Sequence, residues 1–408
     1  MPALARIRAR FAASRPFAGL TVAACLHVTA ETASLVRALE AGGAQVRLCA
    51  ANPLSTQDDV AAALVASADT SVFARRRVGP RGYSAHIDAA LAGRPSLVLD
   101  DGCDLITGLH QRPEALRRVL GGCEETITGI IRLRQMAAAG ALAFPVLDVN
   151  CSATKAMFDA YGTGQSTVDG LLRATNVLLA GRTVVVAGYG SCGRAIAERL
   201  TGLGACVVVT EVDATRALDA TIHGYRVLPM ARAAELGDIF VTVTGNRDVI
   251  TAEHVAAMKD GAILANAGHF DIEIDVPALA ALAVETHPDV RPDTDEYVLA
   301  DGRRLYLLAQ GRLVNLAAAE GNPPSVMDIS FAEQALALEW LVGSAASLTP
   351  DVHPVPSHID AEVAGFKLAS MEVAIDSLTP DQERYLHSWR PELKPGLANN
   401  PLTPKSSP

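Results

Sequence analysis

One stretch near the middle of the chain constrains the fold more than any other: TVVVAGYGSCGRAIAERLTGLGACVVVTEVD, residues 183–213. A β-branched run opens it, followed by G-x-G-x-x-G at Gly188, Gly190 and Gly193 and by a predicted helix over 191–203. In such a motif the glycines allow a tight turn, backbone approach to a pyrophosphate and close packing of helix on strand. The N-terminus of the helix attracts phosphate charge. The pattern predicts a dinucleotide site. The alternative is a βαβ unit that binds no ligand and in which the glycines only allow a tight turn and close packing.

An acidic residue closes the second strand of this unit. Glu211 follows the first strand by about 20 residues, the interval at which a carboxylate meets the adenosine ribose of a dinucleotide. A carboxylate there accepts hydrogen bonds from both ribose hydroxyls and repels a 2′-phosphate. The sequence therefore predicts NAD, rather than NADP, as the cofactor.

The length and amino-acid composition of the chain limit the classes of protein to which it can belong. The chain has 408 residues, enough for two or three domains of roughly 100–200 residues each. It is 50% hydrophobic and 4% aromatic, which is typical of parallel sheets covered by helices. The formal net charge of −10 and the lack of a basic stripe argue against nucleic acid as a partner.

The cysteines and the N-terminal segment indicate in which cellular compartment the protein is found. The chain has 7 cysteines without a C-x-x-C pair, mostly in apolar runs, which indicates reduced core residues rather than disulfides or a zinc site. The basic N-terminus lacks the apolar segment of a secretory signal. No apolar run approaches the ~20 residues that span a bilayer. We therefore predict a cytoplasmic protein with no metal and no membrane partner.

Strands and helices alternate along the chain, which predicts doubly wound parallel sheets with ligands beyond the carboxyl ends of the strands. His27, Asn52, Asp101 and Asp104 follow predicted strands and are candidate site residues. A helix cap is the alternative role for each of these four residues.

Other elements are predicted from local signals. Lys155 and Asp159 are four residues apart and share one face if they lie on a helix, either as a functional pair or as a surface ion pair. Further predictions are a helix opened by residues 55–58 with Ser55 or Thr56 as N-cap, a helix over 165–179, a strand end at 311–316, a helix from about Pro324 and a helix over 360–378.

Several segments together resemble the S-adenosylhomocysteine hydrolase family. From His27 to about Trp389 they are CLHVTAET, NPLSTQDDVAAAL, LVLDDGCDL, EETITG, TKAMFD, YGTGQS, VVVAGYGSCGR, VTEVD, IFVTVTGN, ILANAGHFDIEID and EGNPPSVMDISF. The chain is similar to the compact branch, which lacks an insertion and the Lys/Tyr-rich tail of longer members. The resemblance implies that tightly held NAD+ oxidises the ribose 3′-hydroxyl. The 4′ proton is then removed, the 5′ thiolate leaves, water adds and the ketone is reduced again.

The resemblance also implies roles for matching residues. Lys155 and Asp159 would act on the ribose hydroxyls and the 4′ proton, and His27 and Asp101 would serve elimination and water addition. The implied catalytic residues are His27, Asp101, Lys155, Asp159 and His269. The implied substrate-binding residues are Thr29, Glu31, Asn52, Ser55, Gln57, Glu125, Thr126, Asn322 and Met327. The implied cofactor-binding residues are Thr126, Ile127, Thr128, Gly188, Gly190, Ser191, Cys192, Gly193, Glu211, Val212, Arg216, Thr244, Gly245, Asn246, Ala267, Gly268, His269 and Asn315.

The predicted architecture is α/β, with two doubly wound, Rossmann-like domains, a cleft between them and a small C-terminal helical tail. Residues 1–164, completed by 322–350, are the predicted substrate-binding domain, and 165–321 the NAD-binding domain. Residues 351–408 are predicted to form a helix and an arm for oligomer contact, with the last residues disordered. The resemblance implies a homotetramer or dimer that binds a small-molecule nucleoside.

The chain departs from the family's motifs around the predicted site. An asparagine after Asp159 is missing, Cys151 replaces Asp, Ile127 replaces Thr, Gln310 replaces Glu, and Asn322 replaces a His at the adenine edge.

Three hypotheses follow: hydrolysis of S-adenosylhomocysteine, the same 3′-oxidation applied to another nucleoside or thioether, or a non-catalytic NAD-binding partner. Retention of the five implied catalytic residues argues against the third.

Overall fold

The structure is a computed structural model that describes residues 1–67 and 70–389. The chain divides into two compact units, Met1–Lys367 and Leu368–Pro408. The prediction of disorder at the end of the chain concerns residues outside the described part. Among the described residues, no helix combines the length and apolar character needed to cross a bilayer.

The first sheet is built mainly from the N-terminal part of the chain. In the described residues it has 7 strands, namely β1 (Thr21–Leu26), β2 (Gln45–Ala50), β3 (Ser71–Phe73), β4 (Leu97–Asp100), β5 (Gly121–Glu124), β6 (Val146–Asp148) and β15 (Val352–Pro354). All pairs are parallel, in the order β15-β6-β5-β4-β1-β2-β3. The strand order reverses between β4 and β1, so the loops that carry Asp101 and His27 leave the sheet at its topological switch point.

The second sheet follows in sequence. In the described residues it has 8 strands, namely β7 (Thr183–Ala187), β8 (Cys206–Thr210), β9 (Arg226–Val227), β10 (Ile239–Thr242), β11 (Ile263–Asn266), β12 (Ala283–Arg291), β13 (Thr294–Leu299) and β14 (Arg304–Leu308). Their order is β12-β13-β14-β11-β10-β7-β8-β9, with antiparallel pairing only at β12-β13 and β13-β14. The glycine motif follows β7, next to the switch between β10 and β7. The two sheets confirm the predicted doubly wound α/β class.

Helices cover both sheets. They are α1 (Pro2–Ser14), α2 (Ala30–Ala41), α3 (Asp58–Ser67), α4 (Pro80–Leu91), α5 (Asp104–His110), α6 (Pro113–Leu116), α7 (Ile127–Ala138), α8 (Ala153–Thr175), α9 (Ser191–Gly202), α10 (Ala214–Ile222), α11 (Met230–Ala234), α12 (Ala252–Ala257), α13 (Val276–Leu282), α14 (Val314–Ala317), α15 (Pro324–Ser344), α16 (Ser357–Ser370) and α17 (Pro380–Leu386). Short 3₁₀ turns lie at Val149–Cys151, Ala309–Gly311 and Ala345–Ser347. In the second unit, α17 begins with a capping box between Thr379 and Gln382.

Helix α15 lies in the apolar core that covers the first sheet. It carries buried residues around most of its circumference, which is typical of a helix enclosed by protein. It shares one apolar cluster with α1, α2 and the strands β1 and β2. Residues after the dinucleotide unit therefore pack against the first sheet, and the division into a substrate-binding and an NAD-binding domain stays a prediction.

Some predicted elements were wrong in their bounds. The helix expected at 165–179 begins at Ala153 and ends at Thr175, so one continuous helix carries both the Lys155–Asp159 pair and the entry to the second sheet. The helix expected at 360–378 spans Ser357–Ser370. Strand β15 was not predicted. It pairs with β6 and lies beyond residue 350, in the segment assigned from sequence to the C-terminal arm.

Two further local predictions fail for clear reasons. Helix α3 begins at Asp58, and the Gln57 carbonyl accepts from the Ala61 N–H at 3.0 Å, so Gln57 occupies the N-cap position. The hydroxyls of Ser55 and Thr56 instead donate to the Asn52 carbonyl.

Residues 311–316 do not end a strand. Gln310 has a φ of 56° and Gly311 a φ of 79°, and left-handed residues interrupt extended backbone. The chain then enters the helix Val314–Ala317.

A carboxylate from α16 anchors the start of α8. Asp360 accepts hydrogen bonds from the backbone N–H groups of Ala153 and Thr154, each at 3.0 Å. Burial alone raises the pKa of Asp360, but the hydrogen bonds from Thr154 lower it overall, so it is an anion at the positive end of the helix. Burial raises the pKa of the neighbouring Glu333 to about 8.

Substitution Asp360→Asn is expected to lower the free energy of unfolding by about 1–2 kcal/mol, since it removes the charge and one acceptor oxygen at a helix N-terminus. Because the folded-state pKa of Asp360 is lowered, this stabilisation is present above the ordinary aspartate pKa and fades as the pH falls through the folded-state value. Denaturant unfolding at neutral and acidic pH measures both effects. The exposed Asp381→Asn is the control and should change little. Equal stability of wild type and D360N at neutral pH would contradict the anchoring role.

Candidate active site

A cavity of about 1110 Å³ is lined by residues from the carboxyl ends of both sheets. His27 and Asp101 line it from the switch point of the first sheet, and the glycine loop lines it from the second. Lys155 and Asp159 of α8 also line it. The fold therefore brings into one place the groups that the sequence analysis identified separately.

The glycine loop after β7 shows the close packing that its motif predicts. A Cβ on Gly193 would lie 2.1 Å from the carbonyl oxygen of Gly188, so α9 can approach the loop this closely only with glycine there. Gly188 has a φ of 105°, a conformation that favours glycine. The backbone N–H groups at the start of α9 thus stand at the edge of the cavity, where they can bind phosphate.

Glu211 follows β8 and lies beside this loop. Its carboxylate accepts hydrogen bonds from the backbone N–H groups of Tyr189 and Val212, both at 2.7 Å, and of Asp213 at 3.0 Å. Burial alone raises the pKa of Glu211, but these hydrogen bonds lower it overall. The residue is therefore an anion held in place at the cavity wall.

Two residues that line the cavity carry a buried polar atom with no partner among the described residues. They are Thr128, through Oγ1, and Asn315, through Oδ1. Buried polar atoms in native proteins almost always have a hydrogen-bond partner. With the glycine loop and Glu211, these two atoms fit a polar dinucleotide.

Lys155 lies at the centre of a buried ionic group. It is 3% exposed, and its Nζ lies 3.4 Å from Asp159 Oδ2 and 3.4 Å from Glu125 Oε1. Glu125 in turn accepts from Ser330 Oγ at 2.7 Å and from Gln334 Nε2. Burial alone lowers the pKa of Lys155, but the two carboxylates raise it above its ordinary range. The alternative of a surface ion pair is therefore wrong.

His27 contacts Ser55 through one ring nitrogen and Asp101 through the other. Its Nδ1 lies 2.6 Å from Ser55 Oγ, and that hydroxyl donates its hydrogen to the Asn52 carbonyl at 2.9 Å. When the Ser55 hydroxyl donates to Asn52, Nδ1 is the donor to Ser55 and Nε2 is left for proton exchange. Nε2 lies 3.4 Å from Asp101 Oδ2. Burial lowers the pKa of His27, and Asp101 opposes this only in part.

A second imidazole stands on the other side of Asp101. His269 Nδ1 lies 3.6 Å from Asp101 Oδ1, and the ring centroids of His27 and His269 are 6.0 Å apart. The carboxylate is thus placed to exchange protons with either ring. The ligand atoms of these three residues lie within 4.8 Å of one another, a spacing that can hold a metal ion. The expectation of no metal stays a prediction.

Two buried carboxyl groups fix the loops beneath these residues. Asp100 accepts from the N–H groups of Asp101 at 3.0 Å and Ile106 at 2.7 Å. Glu124 accepts from those of Gly102 at 2.8 Å and Thr126 at 3.0 Å. Burial raises the pKa of Asp100 to about 8 and raises that of Glu124 as well. These carboxyl groups orient the loops that present Asp101 and the Glu125 region to the cavity.

Most predicted site residues line the cavity. These include the implied catalytic residues, every implied cofactor-binding residue, and six of the implied substrate-binding residues: Thr29, Glu31, Glu125, Thr126, Asn322 and Met327. Asn52, Ser55 and Gln57 are not among the described residues that line it. Asn52 and Ser55 lie behind His27, and the Gln57 N–H donates to the Val28 carbonyl at 3.0 Å.

Sequence reasoning missed several residues that support this site. Ser330 and Gln334 hold Glu125 from α15, and Ser166 contacts both Asn322 and Asn315. The spacing of Ser330 and Gln334 was a usable signal, because residues four apart share one helix face. Nothing in the sequence indicated that this face meets Glu125.

The two doubly wound sheets and the glycine loop at the cavity define the class of NAD-dependent α/β enzymes. Residues 1–118 match the family described as S-adenosyl-L-homocysteine hydrolase, and residues 159–321 match its NAD binding domain. The chain belongs to the S-adenosyl-L-homocysteine hydrolase family, and NAD is its cofactor.

Full-length relatives agree with this assignment. The chain is 56% identical to the adenosylhomocysteinase of Aquifex aeolicus over 391 residues, which cover 95% of this chain and 93% of that protein. It is 54% identical to the adenosylhomocysteinase of Thermosynechococcus vestitus over 391 residues, 95% of this chain and 91% of that one. It is also 52% identical to the S-inosyl-L-homocysteine hydrolase of Methanopyrus kandleri over 396 residues, 95% and 92% of the two chains.

Proposed function

We propose that this chain hydrolyses S-adenosylhomocysteine to adenosine and homocysteine through NAD-dependent oxidation of the ribose 3′-hydroxyl. One observation carries the proposal: the buried Lys155, flanked by Asp159 and Glu125, shares a cavity with the His27–Asp101–His269 group and the glycine loop. This supports the proposal, because removal of a 4′ proton and departure of a 5′ group require two separate sets of proton-transfer groups beside one dinucleotide.

The cofactor site is assigned to named residues. The loop Gly188–Gly193 and the start of α9 would hold the pyrophosphate, Glu211 the adenosine ribose, and Thr128 and Asn315 the remaining polar groups through their unpartnered atoms. When bound, NAD+ supplies the reversible oxidation of the ribose 3′-hydroxyl, which acidifies the neighbouring 4′ C–H.

Lys155 would remove and return the 4′ proton. As an ammonium it is stabilised by Asp159 and Glu125, which is why its pKa is raised; the neutral amine is correspondingly a strong proton acceptor. Asp159 and Glu125 also offer oxygens to the ribose hydroxyls. Because the reactive form of Lys155 is neutral, activity is expected to rise with pH until another group titrates.

His27 would serve the 5′ side of the ribose. In the protonated ring, Nε2, with Asp101 3.4 Å away, can give its proton to the departing thiolate, and the neutral ring that results can take a proton back from the water that adds. Its lowered pKa favours the neutral ring that accepts a proton from water.

The test uses the purified, NAD-loaded protein with S-adenosylhomocysteine, and S-inosylhomocysteine as the matched comparison. Free thiol and nucleoside are measured together. We expect adenosine and homocysteine in equal amounts, and a higher kcat/KM for the adenosyl substrate. Conversion of a nucleoside without release of homocysteine would overturn the proposal in favour of the same oxidation applied to another substrate.

Two broader predictions accompany this function. A cytoplasmic location remains the predicted location. A homotetramer or dimer, with contact through the C-terminal arm, remains the predicted assembly, and light scattering of the purified protein measures it.

Glu211 is expected to set the choice between NAD and NADP. Substitution Glu211→Gln removes the negative charge that would face a 2′-phosphate, so the ratio of NADP to NAD affinity should rise by roughly tenfold or more. Binding of both dinucleotides to the cofactor-free protein gives this ratio. Asp213→Asn, two residues away and outside the described cavity lining, is the control. An unchanged ratio in E211Q would remove Glu211 from the ribose site.

A further inference from the structure

Asn322 contacts the reactive ionic group directly. This residue, on the loop before α15, donates a hydrogen bond from Nδ2 to Asp159 Oδ1. The other oxygen of the same carboxylate, Oδ2, accepts from Lys155 Nζ at 3.4 Å. Asp159 is therefore held from two sides, by the amide of Asn322 and by the ammonium of Lys155.

The amide of Asn322 is itself fixed by a hydrogen-bond chain. Ser166 Oγ lies 3.3 Å from Asn322 Oδ1, and Asn315 Nδ2 donates to Ser166 Oγ at 3.3 Å. A carboxylate has no hydrogen to donate, so the NH₂ group of Asn322 must face Asp159 and its oxygen must face Ser166. The Ser166 hydroxyl can then accept from Asn315 and donate to Asn322. The Ser166 oxygen also lies 3.4 Å from the Thr163 carbonyl, which is a second possible acceptor for its hydroxyl.

The space for this amide is provided by Gly162. A Cβ at Gly162 would lie 2.8 Å from Asn322 Oδ1 and 2.9 Å from Val326 Cγ1. Glycine inside a helix costs about 1 kcal/mol relative to alanine, so its presence in α8 is not explained by helix stability. Gly162 is not among the described residues that line the cavity, so its effect on the site passes through Asn322.

We propose that Asn322 is a positioning residue for proton transfer: it holds the Asp159 carboxylate in the rotamer that directs Oδ2 at Lys155. This inference rests on the proposed function, in which Lys155 is the base. It differs from the role at the adenine edge that the family resemblance implies for this position. A base-recognising residue changes substrate affinity, whereas a positioning residue changes the rate of the step that follows binding.

The test substitution is Asn322→Asp, which keeps the shape, removes the donor and places a second carboxylate against Asp159. We expect kcat to fall roughly 10- to 100-fold, as for loss of a hydrogen bond to a charged group. KM should stay within about threefold. The added negative charge should also move the rising limb of the pH–rate profile to higher pH, because it favours protonated Lys155.

A second variant reaches the same contact from the other side. Gly162→Ala should displace the Asn322 amide and give the same loss of kcat with little change in KM. Asn176→Asp is the matched control: Asn176 is the C-cap of α8, so this variant adds a charge to the same helix away from the cavity. Its kcat and pH profile should equal those of wild type. NAD content and thermal stability are measured for each protein.

The inference would be overturned if N322D raised KM, and raised it differently for the adenosyl and inosyl substrates, while kcat and the rising limb of the pH–rate profile stayed unchanged. If wild type itself releases no homocysteine, the proposed function fails, and the inference is then judged on the cofactor-free protein. There, Asn322→Ala and Asp159→Ala should shift the thermal midpoint non-additively. Additive shifts would mean that the two side chains are not coupled.

Discussion

Replacing Lys155 with arginine is expected to reduce turnover of S-adenosylhomocysteine by roughly 10²- to 10⁴-fold, the range that general acid–base catalysis supplies. Arginine keeps a cation between the partly buried carboxylates of Asp159 and Glu125, so both keep a charged partner. A guanidinium does not lose its proton at accessible pH. The variant should therefore be folded and bind NAD, yet lack a base for the 4′ proton.

The measurement is single-turnover release of homocysteine, with NAD content and thermal stability recorded for each protein. Lys155→Met, which removes both charge and base, should be equally slow and also less stable. Lys259→Arg is the matched control, because Lys259 is an exposed residue paired with Asp238 at 2.8 Å. Retention of most of the activity in K155R would show that another group removes the proton.

Substitution Gly193→Ala is expected to produce the second largest effect, a loss of most bound NAD and with it most of the activity. The new Cβ would stand 2.1 Å from the Gly188 carbonyl oxygen, which is backbone and cannot move aside as a flexible side chain would. Helix α9 must shift away from the loop, and its N-terminal N–H groups then leave the pyrophosphate position.

The affinity of NAD for the cofactor-free protein, measured by calorimetry, tests this prediction, and a fall of at least roughly tenfold is expected. Gly202→Ala is the control at the other end of α9, where an added Cβ would meet nothing within 4 Å. That variant should bind NAD normally and gain up to about 1 kcal/mol of stability. Normal NAD affinity in G193A would place the dinucleotide elsewhere.

The dinucleotide unit was the part of the fold most fully predictable from sequence. Strand β7 (Thr183–Ala187) coincides with the β-branched run that opens the motif, and α9 begins at Ser191 as predicted. Both follow from strong local signals, a β-branched run and a glycine motif. Strand β15, with three residues, is defined only by its pairing with β6, and a segment this short has too little pattern to be recognised alone.

Some residues of the candidate site were likewise predictable from local sequence signals, and others were not. His27 and Asp101 were found because residues after parallel strands gather at one edge of a sheet. Ser55 follows β2 as well, but a turn stabilised by the Asn52 carbonyl directs its hydroxyl to His27 rather than into the cavity. No local rule gives that direction.

Asn322 and Asp159 show the limit of sequence reasoning most clearly. They are 163 positions apart in the chain, and their contact depends on how α15 returns to the first sheet. The resemblance identified Asn322 as a departure from the family motif but gave no partner for it. The partner follows only from the packing of α8 against the loop before α15, with Gly162 between them.

In the proposed function, this chain cleaves a thioether by transient oxidation of the ribose. The most direct measurement is anaerobic mixing of NAD-loaded protein with S-adenosylhomocysteine, following the absorbance of reduced nicotinamide and the products together. We predict a rise in that absorbance before homocysteine appears, followed by a fall as the products are released. Release of adenosine and homocysteine without any reduction of the cofactor would rule out transient oxidation of the ribose.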